Sequence, residues 1–131
     1  MSNIETVQAI YKAFGRGDVP AILNQLDDAV EWETTVPVSD VPWLQARCGK
    51  TNIVGFFESL ARLKITRFEP HTIFDGGDKV LVLITFEATA RGQSYSFPNN
   101  GHLWQFNAAG KVVKYVHVTD TAQMIRMAKG E

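Results

Sequence analysis

The chain has 131 residues, of which 45% are hydrophobic and 21% charged, a composition typical of one folded domain and not of a disordered segment. Its formal net charge is −1, so neither nucleic acid nor an anionic membrane is an expected partner. With a single cysteine, Cys48, it can form neither an internal disulfide nor a cysteine cluster for zinc.

The first residues lack the positive and apolar regions of a signal peptide. No stretch approaches the roughly 20 apolar residues that a membrane span requires. The sequence contains no repeat, low-complexity tract or linker-like segment. It therefore predicts one domain over residues 1–131, located in the cytoplasm.

Two helices are predicted at the start of the chain. Apolar residues recur at helical spacing over residues 4–14, after a possible cap at Ser2 or Asn3, and glycines end this pattern. Asp18 can cap a short second helix over residues 19–26, in which a proline occupies the first turn.

A first strand is predicted over residues 29–35. Val30, Trp32 and Thr34 alternate there with two glutamates. Because side chains alternate between the two faces of a strand, this pattern predicts that Glu33 points outward.

The remainder of the chain predicts a third helix followed by strands. An irregular stretch over residues 36–43 contains two prolines, and a third helix is predicted over residues 51–63. Four strands then follow, over residues 64–74, 79–90, 94–106 and 111–119. The third of these strands is predicted to be interrupted at residues 98–101, which read Pro-Asn-Asn-Gly.

A short last helix is predicted from a cap at Asp120 through Met127. Helices thus come first and a meander of antiparallel strands comes later. This segregation of helix and sheet along the chain predicts an α+β fold.

The best-defined motif covers residues 102–113, which read His-Leu-Trp-Gln-Phe-Asn-Ala-Ala-Gly-Lys-Val-Val. Further motifs are found at residues 7–18, 26–33, 41–60 and 120–122. In their order and spacing they resemble the SnoaL-like, ketosteroid-isomerase-like branch of the NTF2-like superfamily. The resemblance implies a cone-shaped, curved antiparallel sheet packed on N-terminal helices and enclosing a pocket for a small apolar molecule, commonly in a homodimer.

The resemblance also implies positions for catalytic groups. Steroid isomerases combine a carboxylate base with an oxyanion hole made by a tyrosine and a protonated aspartic acid. The oxyanion aspartic acid falls on His102, and the helix-one tyrosine falls on Ile10, beside Tyr11. The base falls on Glu33 if the first strand is aligned without a gap, whereas strand alternation favours Thr34 at that position. Both alternatives remain open at this stage.

Acid/base chemistry is also indicated by the last two predicted strands. Each carries polar and aromatic residues on one face: His102, Trp104 and Phe106 on one strand, and Tyr115, His117 and Thr119 on the other. A tight turn joins these strands, so the side chains can be neighbours. Together with Asp120 they form a plausible set for enolisation, aldol closure or addition of water.

In SnoaL-like cyclases a histidine and an aspartate are expected to do that work, which makes His102 and Asp120 the preferred pair. The alternatives are a hydrogen-bonded structural histidine and an aspartate that only caps the last helix.

Six aromatic residues are predicted to contact the substrate, with ordinary core packing as the alternative. They are Tyr11, Trp32, Trp43, Phe86, Trp104 and Tyr115.

Neither a metal nor a cofactor is expected. Helical His-x-x-x-His spacing, the Gly-x-Gly-x-x-Gly fingerprint and a P-loop are all missing from the sequence.

The sequence therefore predicts a cofactor-independent isomerase, cyclase or hydrolase that acts by acid/base chemistry on a small apolar carbonyl compound. The alternatives are a non-catalytic module that binds small molecules and a dimeric interaction domain.

Overall fold

A computed structural model describes residues 1–130 of the chain. Its helices are α1 (Asn3–Gly15), α2 (Val19–Leu23), α3 (Val54–Ser59) and α4 (Thr121–Lys129). Its strands are β1 (Leu26–Trp32), β2 (Arg47–Cys48), β3 (Lys64–Asp75), β4 (Lys79–Ala90), β5 (Gln93–Phe106) and β6 (Val112–Val118). Short 3₁₀ turns lie at Pro42–Leu44, Lys50–Ile53 and Leu60–Arg62.

Three of the four helices begin at the predicted caps, whereas α3 begins only at Val54, after a 3₁₀ turn and without a side-chain cap, and so is shorter than the predicted 51–63. Ser2 Oγ accepts a hydrogen bond from the Glu5 amide, and the Glu5 carboxylate accepts one from the Ser2 amide, so a capping box starts α1. Asp18 and Asp120 cap α2 and α4 through their side chains. The second helix is shorter than predicted, because the chain has already entered β1 at Leu26.

The six strands form one curved, unclosed sheet in the order β2-β1-β6-β5-β4-β3. Neighbours are antiparallel with one exception, since β1 runs parallel to β6. The expectation of a purely antiparallel sheet is therefore corrected at this pair. No hairpin joins β1 to β6, so chain connectivity does not impose an antiparallel direction on them.

The predicted interruption of the third long strand is wrong, because β5 continues through residues 98–101. Phe97 pairs with Phe86 and Asn100 with Ile84, so Thr85 faces both Pro98 and Asn99. This is a β-bulge, where the missing N–H of Pro98 leaves no ladder hydrogen bond unmade. Such bulges bend the strands, and similar register shifts occur in the β3–β4 and β5–β6 pairs.

The core lies between the concave face of the sheet and the helices. From Val80 onward, residues of β4 alternate strictly between buried and half-buried positions, and β4 contacts α1. Within residues 1–130, none of the helices has the length and apolar character needed to cross a membrane.

Candidate functional site

A cavity lies inside the curve of the sheet, bounded by α1, α3, α4 and the inner faces of β3 to β6. Its volume is about 60 Å³. All six aromatic residues named from the sequence line it: Tyr11, Trp32, Trp43, Phe86, Trp104 and Tyr115. Their contact with a substrate stays a prediction.

Two histidines meet on the wall of this cavity. His102 on β5 is the cross-strand partner of His117 on β6, as the sequence suggested. Their ring centroids are 4.8 Å apart and the rings are almost perpendicular. Both side chains are more than nine-tenths buried, so they contact their protein neighbours more than bulk solvent.

His102 belongs to a hydrogen-bonded chain of three residues. Trp104 Nε1 donates to the Tyr11 hydroxyl at 3.0 Å, and that hydroxyl lies 2.8 Å from His102 Nδ1. Indole nitrogen can only donate, so the hydroxyl accepts from Trp104, and His102 Nδ1 is the acceptor within reach of the hydroxyl's own O–H. We therefore assign the ring proton of His102 to Nε2.

The protonation of this chain follows from its burial. Burial lowers the pKa of His102 well below its usual value, and the neighbouring His117 lowers it further. Burial likewise raises the pKa of Tyr11 far above its usual value. His102 is therefore a neutral imidazole whose Nε2–H is a hydrogen-bond donor, and Tyr11 keeps its hydroxyl proton.

Tyr11 reaches this chain even though it is one position away from the residue that aligns with the isomerase tyrosine. Successive side chains on a helix point about 100° apart, and this difference argued against Tyr11 taking the role of the isomerase tyrosine. Ile10 and Tyr11 both line the cavity, because the cavity extends around this side of α1.

Glu33 lies behind His117. Its Oε1 accepts a hydrogen bond of 2.7 Å from the His117 backbone amide and lies 3.2 Å from His117 Nδ1. The side-chain contact is too bent to count as a hydrogen bond, so its contribution is electrostatic. The carboxylate is 2% exposed and supports His117 without itself lining the cavity.

The outward orientation predicted for Glu33 by strand alternation is wrong. The strand ends at Trp32, and Glu33 adopts a left-handed backbone conformation with φ of 61°. Trp32 and Glu33 are consequently both buried, although they are adjacent. Thr34, the alternative at this position, instead donates to the exposed Glu31 at 3.2 Å.

Tyr115 completes the surroundings of His117. Its hydroxyl is 3.3 Å from His117 Nε2. Burial raises the pKa of Tyr115 well above its usual value, and the Glu33 carboxylate raises it further. We assign the protonated hydroxyl as the donor to Nε2 and the His117 ring proton to Nδ1, because this tautomer directs the ring N–H to the Glu33 carboxylate.

Asp120 is not brought to this site. It is exposed, does not line the cavity, and accepts a hydrogen bond of 3.0 Å from the Gln123 amide at the start of α4. The preferred pair of His102 and Asp120 is thus not assembled, and the capping alternative describes its position. Glu33 supplies the carboxylate next to the histidines instead.

Two polar residues at the site were missed from the sequence. Asn100 lines the cavity, and its alternation with His102 and Trp104 was an available signal. Arg47 is partly buried, and its charge interacts with Glu33; no local pattern in the sequence indicated that pairing. Among residues 1–130 no three His, Cys, Asp or Glu side chains are grouped as metal ligands would be.

Residues 7–115 match the family profile described as the SnoaL-like domain. A crystal structure of an NTF2-like protein of unknown function from Burkholderia pseudomallei is 30% identical, covering 98% of each chain with a TM-score of 0.84. TerC, co-crystallised with polyporic acid, is 25% identical over 97% of this chain and 98% of its own, with a TM-score of 0.79.

A candidate isomerase from Rhodopseudomonas palustris is similar in fold alone, at 20% identity over 100% of this chain and 98% of its own, with a TM-score of 0.74. No protein of curated function matches the chain.

Proposed function

Since the chain belongs to the SnoaL-like domain family, we propose that it is a cofactor-independent enzyme that moves a proton on a small, largely apolar carbonyl compound. Isomerases, aldol cyclases and some hydrolases share this elementary step. The observation that carries the proposal is the pair of adjacent buried histidines whose partners give them opposite proton roles.

His102 is the electrophilic partner in this scheme. Its neutral ring offers Nε2–H to the oxygen of a bound carbonyl, while Tyr11 holds the other ring nitrogen at 2.8 Å. A donor fixed in a dry cavity stabilises the negative charge that develops on oxygen when an enolate forms. A neutral imidazole can serve as such a donor without first being protonated.

His117 is the base. The contact from Tyr115 to Nε2 is long, at 3.3 Å, so this nitrogen can exchange it for the proton next to a substrate carbonyl. The imidazolium that results has its Nδ1 proton facing Glu33 at 3.2 Å, which stabilises the positive charge. Glu33 is thus a positioning residue, and His117 returns the proton to the product.

The lining of the cavity supports an apolar substrate, because it consists mainly of aromatic and aliphatic side chains around these few polar atoms. One solved structure supports a small-molecule ligand, since TerC, at 25% identity, was co-crystallised with polyporic acid. Polyporic acid is therefore a suitable first ligand for a binding test.

Proton exchange tests the reaction without knowledge of the natural product. Incubation with phenylacetone in D₂O should exchange its protons next to the carbonyl faster than buffer alone does, as followed by NMR. His117→Gln should lower this rate by about 10²- to 10⁴-fold, the usual contribution of general acid–base catalysis, and Glu33→Gln, which removes only the support of His117, should lower it by less.

Glu31→Gln is the matched control, since this exposed carboxylate on β1 points away from the cavity. Its exchange rate should equal that of the unmodified protein. Binding of phenylacetone or polyporic acid with no exchange above buffer would contradict catalysis and favour a small-molecule-binding module.

A further inference from the structure

Two polar side chains beside the histidine pair have no partner. Asn100 Oδ1 and Thr119 Oγ1 are buried and make no hydrogen bond within residues 1–130. The Asn100 side chain is 3% exposed and lines the cavity. A buried acceptor without a partner destabilises the folded state, so such groups in native proteins usually face a ligand or an ordered water.

The strand register places these two groups side by side. His102 pairs with His117, and Gly101 pairs with Val118. Continuing this antiparallel register by one residue sets Thr119 opposite Asn100. Since alternate residues of a strand share a face, Asn100 is on the same inner face as the two histidines, one step further along, and lines the cavity. Thr119 is the first residue after β6 and follows the same alternation, although it does not itself line the cavity.

A hydroxyl group is complementary to both partners. It can donate its proton to Asn100 Oδ1 and accept one from the Thr119 hydroxyl at the same time. A carbonyl or an ether oxygen cannot donate, and so would leave the Asn100 oxygen unpaired. An apolar group would leave both unpaired, which a buried site penalises.

We infer that Asn100 and Thr119 form a subsite for a hydroxyl group of the substrate, adjacent to the His102–His117 pair. Same-face neighbours on a strand are ~6.6 Å apart, so this hydroxyl is separated from the reacting carbonyl by the width of about one ring. The substrate class is then a compact, mostly apolar carbonyl compound with a hydroxyl group on the far side of its ring. This assignment rests on the proposed function only for the placement of the carbonyl.

Paired ligands measure the subsite directly. We expect the unmodified protein to bind 4-hydroxyacetophenone about tenfold more tightly than acetophenone in calorimetric titration, as one well-made buried hydrogen bond allows. Asn100→Leu should reduce this ratio to near one while acetophenone still binds. Thr119→Val, a nearly isosteric change, should reduce it in part.

Asn99→Leu is the control, because Asn99 is exposed in the bulge next to Asn100 and should leave the ratio unchanged. If Asn100→Leu does not fold, Thr119→Val alone decides the outcome. An equal affinity of the unmodified protein for both ligands, or a ratio that neither Asn100→Leu nor Thr119→Val lowers, would overturn the subsite.

These outcomes are independent of the exchange assay. A hydroxyl preference that depends on Asn100 or Thr119 would support the subsite even if no proton exchange occurred. Conversely, exchange on phenylacetone without any hydroxyl preference would support the proposed reaction and overturn the subsite.

Discussion

His102 and His117 are cross-strand neighbours whose immediate partners differ. One accepts a hydrogen bond from a tyrosine at Nδ1, and the other has Nδ1 beside a carboxylate. Two identical side chains are thus held in different surroundings, and in the proposed reaction one would be the hydrogen-bond donor and the other the base.

The buried His102 should make stability depend on pH. Its pKa in the folded protein lies well below 6.5, the ordinary value that it regains on unfolding. As the pH falls below 6.5, the unfolded chain binds a proton that the folded chain does not, so the free energy of unfolding decreases. The loss from this residue should be about 1.4 kcal/mol between pH 7.5 and pH 5.5.

Urea unfolding at these two pH values measures that difference. His102→Gln should remove about 1.4 kcal/mol of the pH dependence, whatever its effect on stability at pH 7.5. The control His71→Gln replaces an exposed histidine on β3 and should leave the dependence nearly intact. An unchanged pH dependence in His102→Gln would show that His102 is not held neutral.

Glu33 combines an unusual backbone with a buried charge. A left-handed φ is uncommon for a residue with a side chain, and such strain is often found at functional sites. Two hydrogen bonds to β6 hold the backbone of Glu33 in this conformation. The Glu33 amide donates to Tyr115 O at 2.9 Å, and the His117 amide donates to Glu33 Oε1 at 2.7 Å. The conformation directs the carboxylate inward, to His117.

At the scale of an element, the bulge in β5 decides which side chains face the cavity. Before it, Tyr95 and Phe97 are buried; after it, Asn100, His102 and Trp104 are. The extra residue opposite Thr85 shifts the inward-facing set from odd to even positions. Without the bulge, the polar residues of this strand would face the other side of the sheet.

Gly101 permits the close pairing of β5 with β6 just after this bulge. A Cβ at this position would lie 2.8 Å from Val118 O and 2.9 Å from Val118 Cβ. Gly101→Ala should therefore force the two strands apart and lower the free energy of unfolding by about 1–3 kcal/mol, as overpacking does. Urea unfolding measures this cost.

Gly15→Ala is the comparison for Gly101→Ala. A Cβ at Gly15 has no neighbour within 4 Å, and the residue is helical, so alanine should be neutral or slightly stabilising. Equal stability of the two variants would mean that β5 and β6 can separate at Gly101 without cost.

At the scale of the whole molecule, the outer face of the sheet carries an apolar surface. Cross-strand pairing aligns two rows of residues across β4, β5 and β6. The first row is Leu81, Leu103 and Val116, and the second is Leu83, Gly101 and Val118. Val118 is 54% exposed. Adjacent apolar side chains on an open sheet are typical of a surface that pairs with a partner, and we propose that this one forms a homodimer.

Sedimentation tests the homodimer. The protein should sediment at twice its chain mass of 14.6 kDa, and Val118→Glu should shift it to the monomer, because a carboxylate would be buried without a partner in the interface. Val36→Glu is the control, since Val36 is also more than half exposed but lies in the loop after β1. A monomeric unmodified protein, or a dimer insensitive to Val118→Glu, would exclude this interface.

Most of the elements could be predicted from the sequence, because they depend on local chemistry. Serine and aspartate caps defined the helix starts, and the alternation along β4 reflects burial of one face. The tight turn between the last two strands was sufficient to predict that His102 and His117 are neighbours. The inward orientation of Glu33, beside His117, was not predictable in this way.

Only the tertiary structure decided three features: the inward turn of Glu33, the bulge in β5 and the parallel direction of β1. The inward turn of Glu33 depends on hydrogen bonds to β6, which is 80 residues or more away in the sequence. The bulge in β5 depends on its pairing with β4, and the parallel direction of β1 on its pairing with β6. Local patterns report the period of a segment, whereas these features arise from partners that only the folded chain brings together.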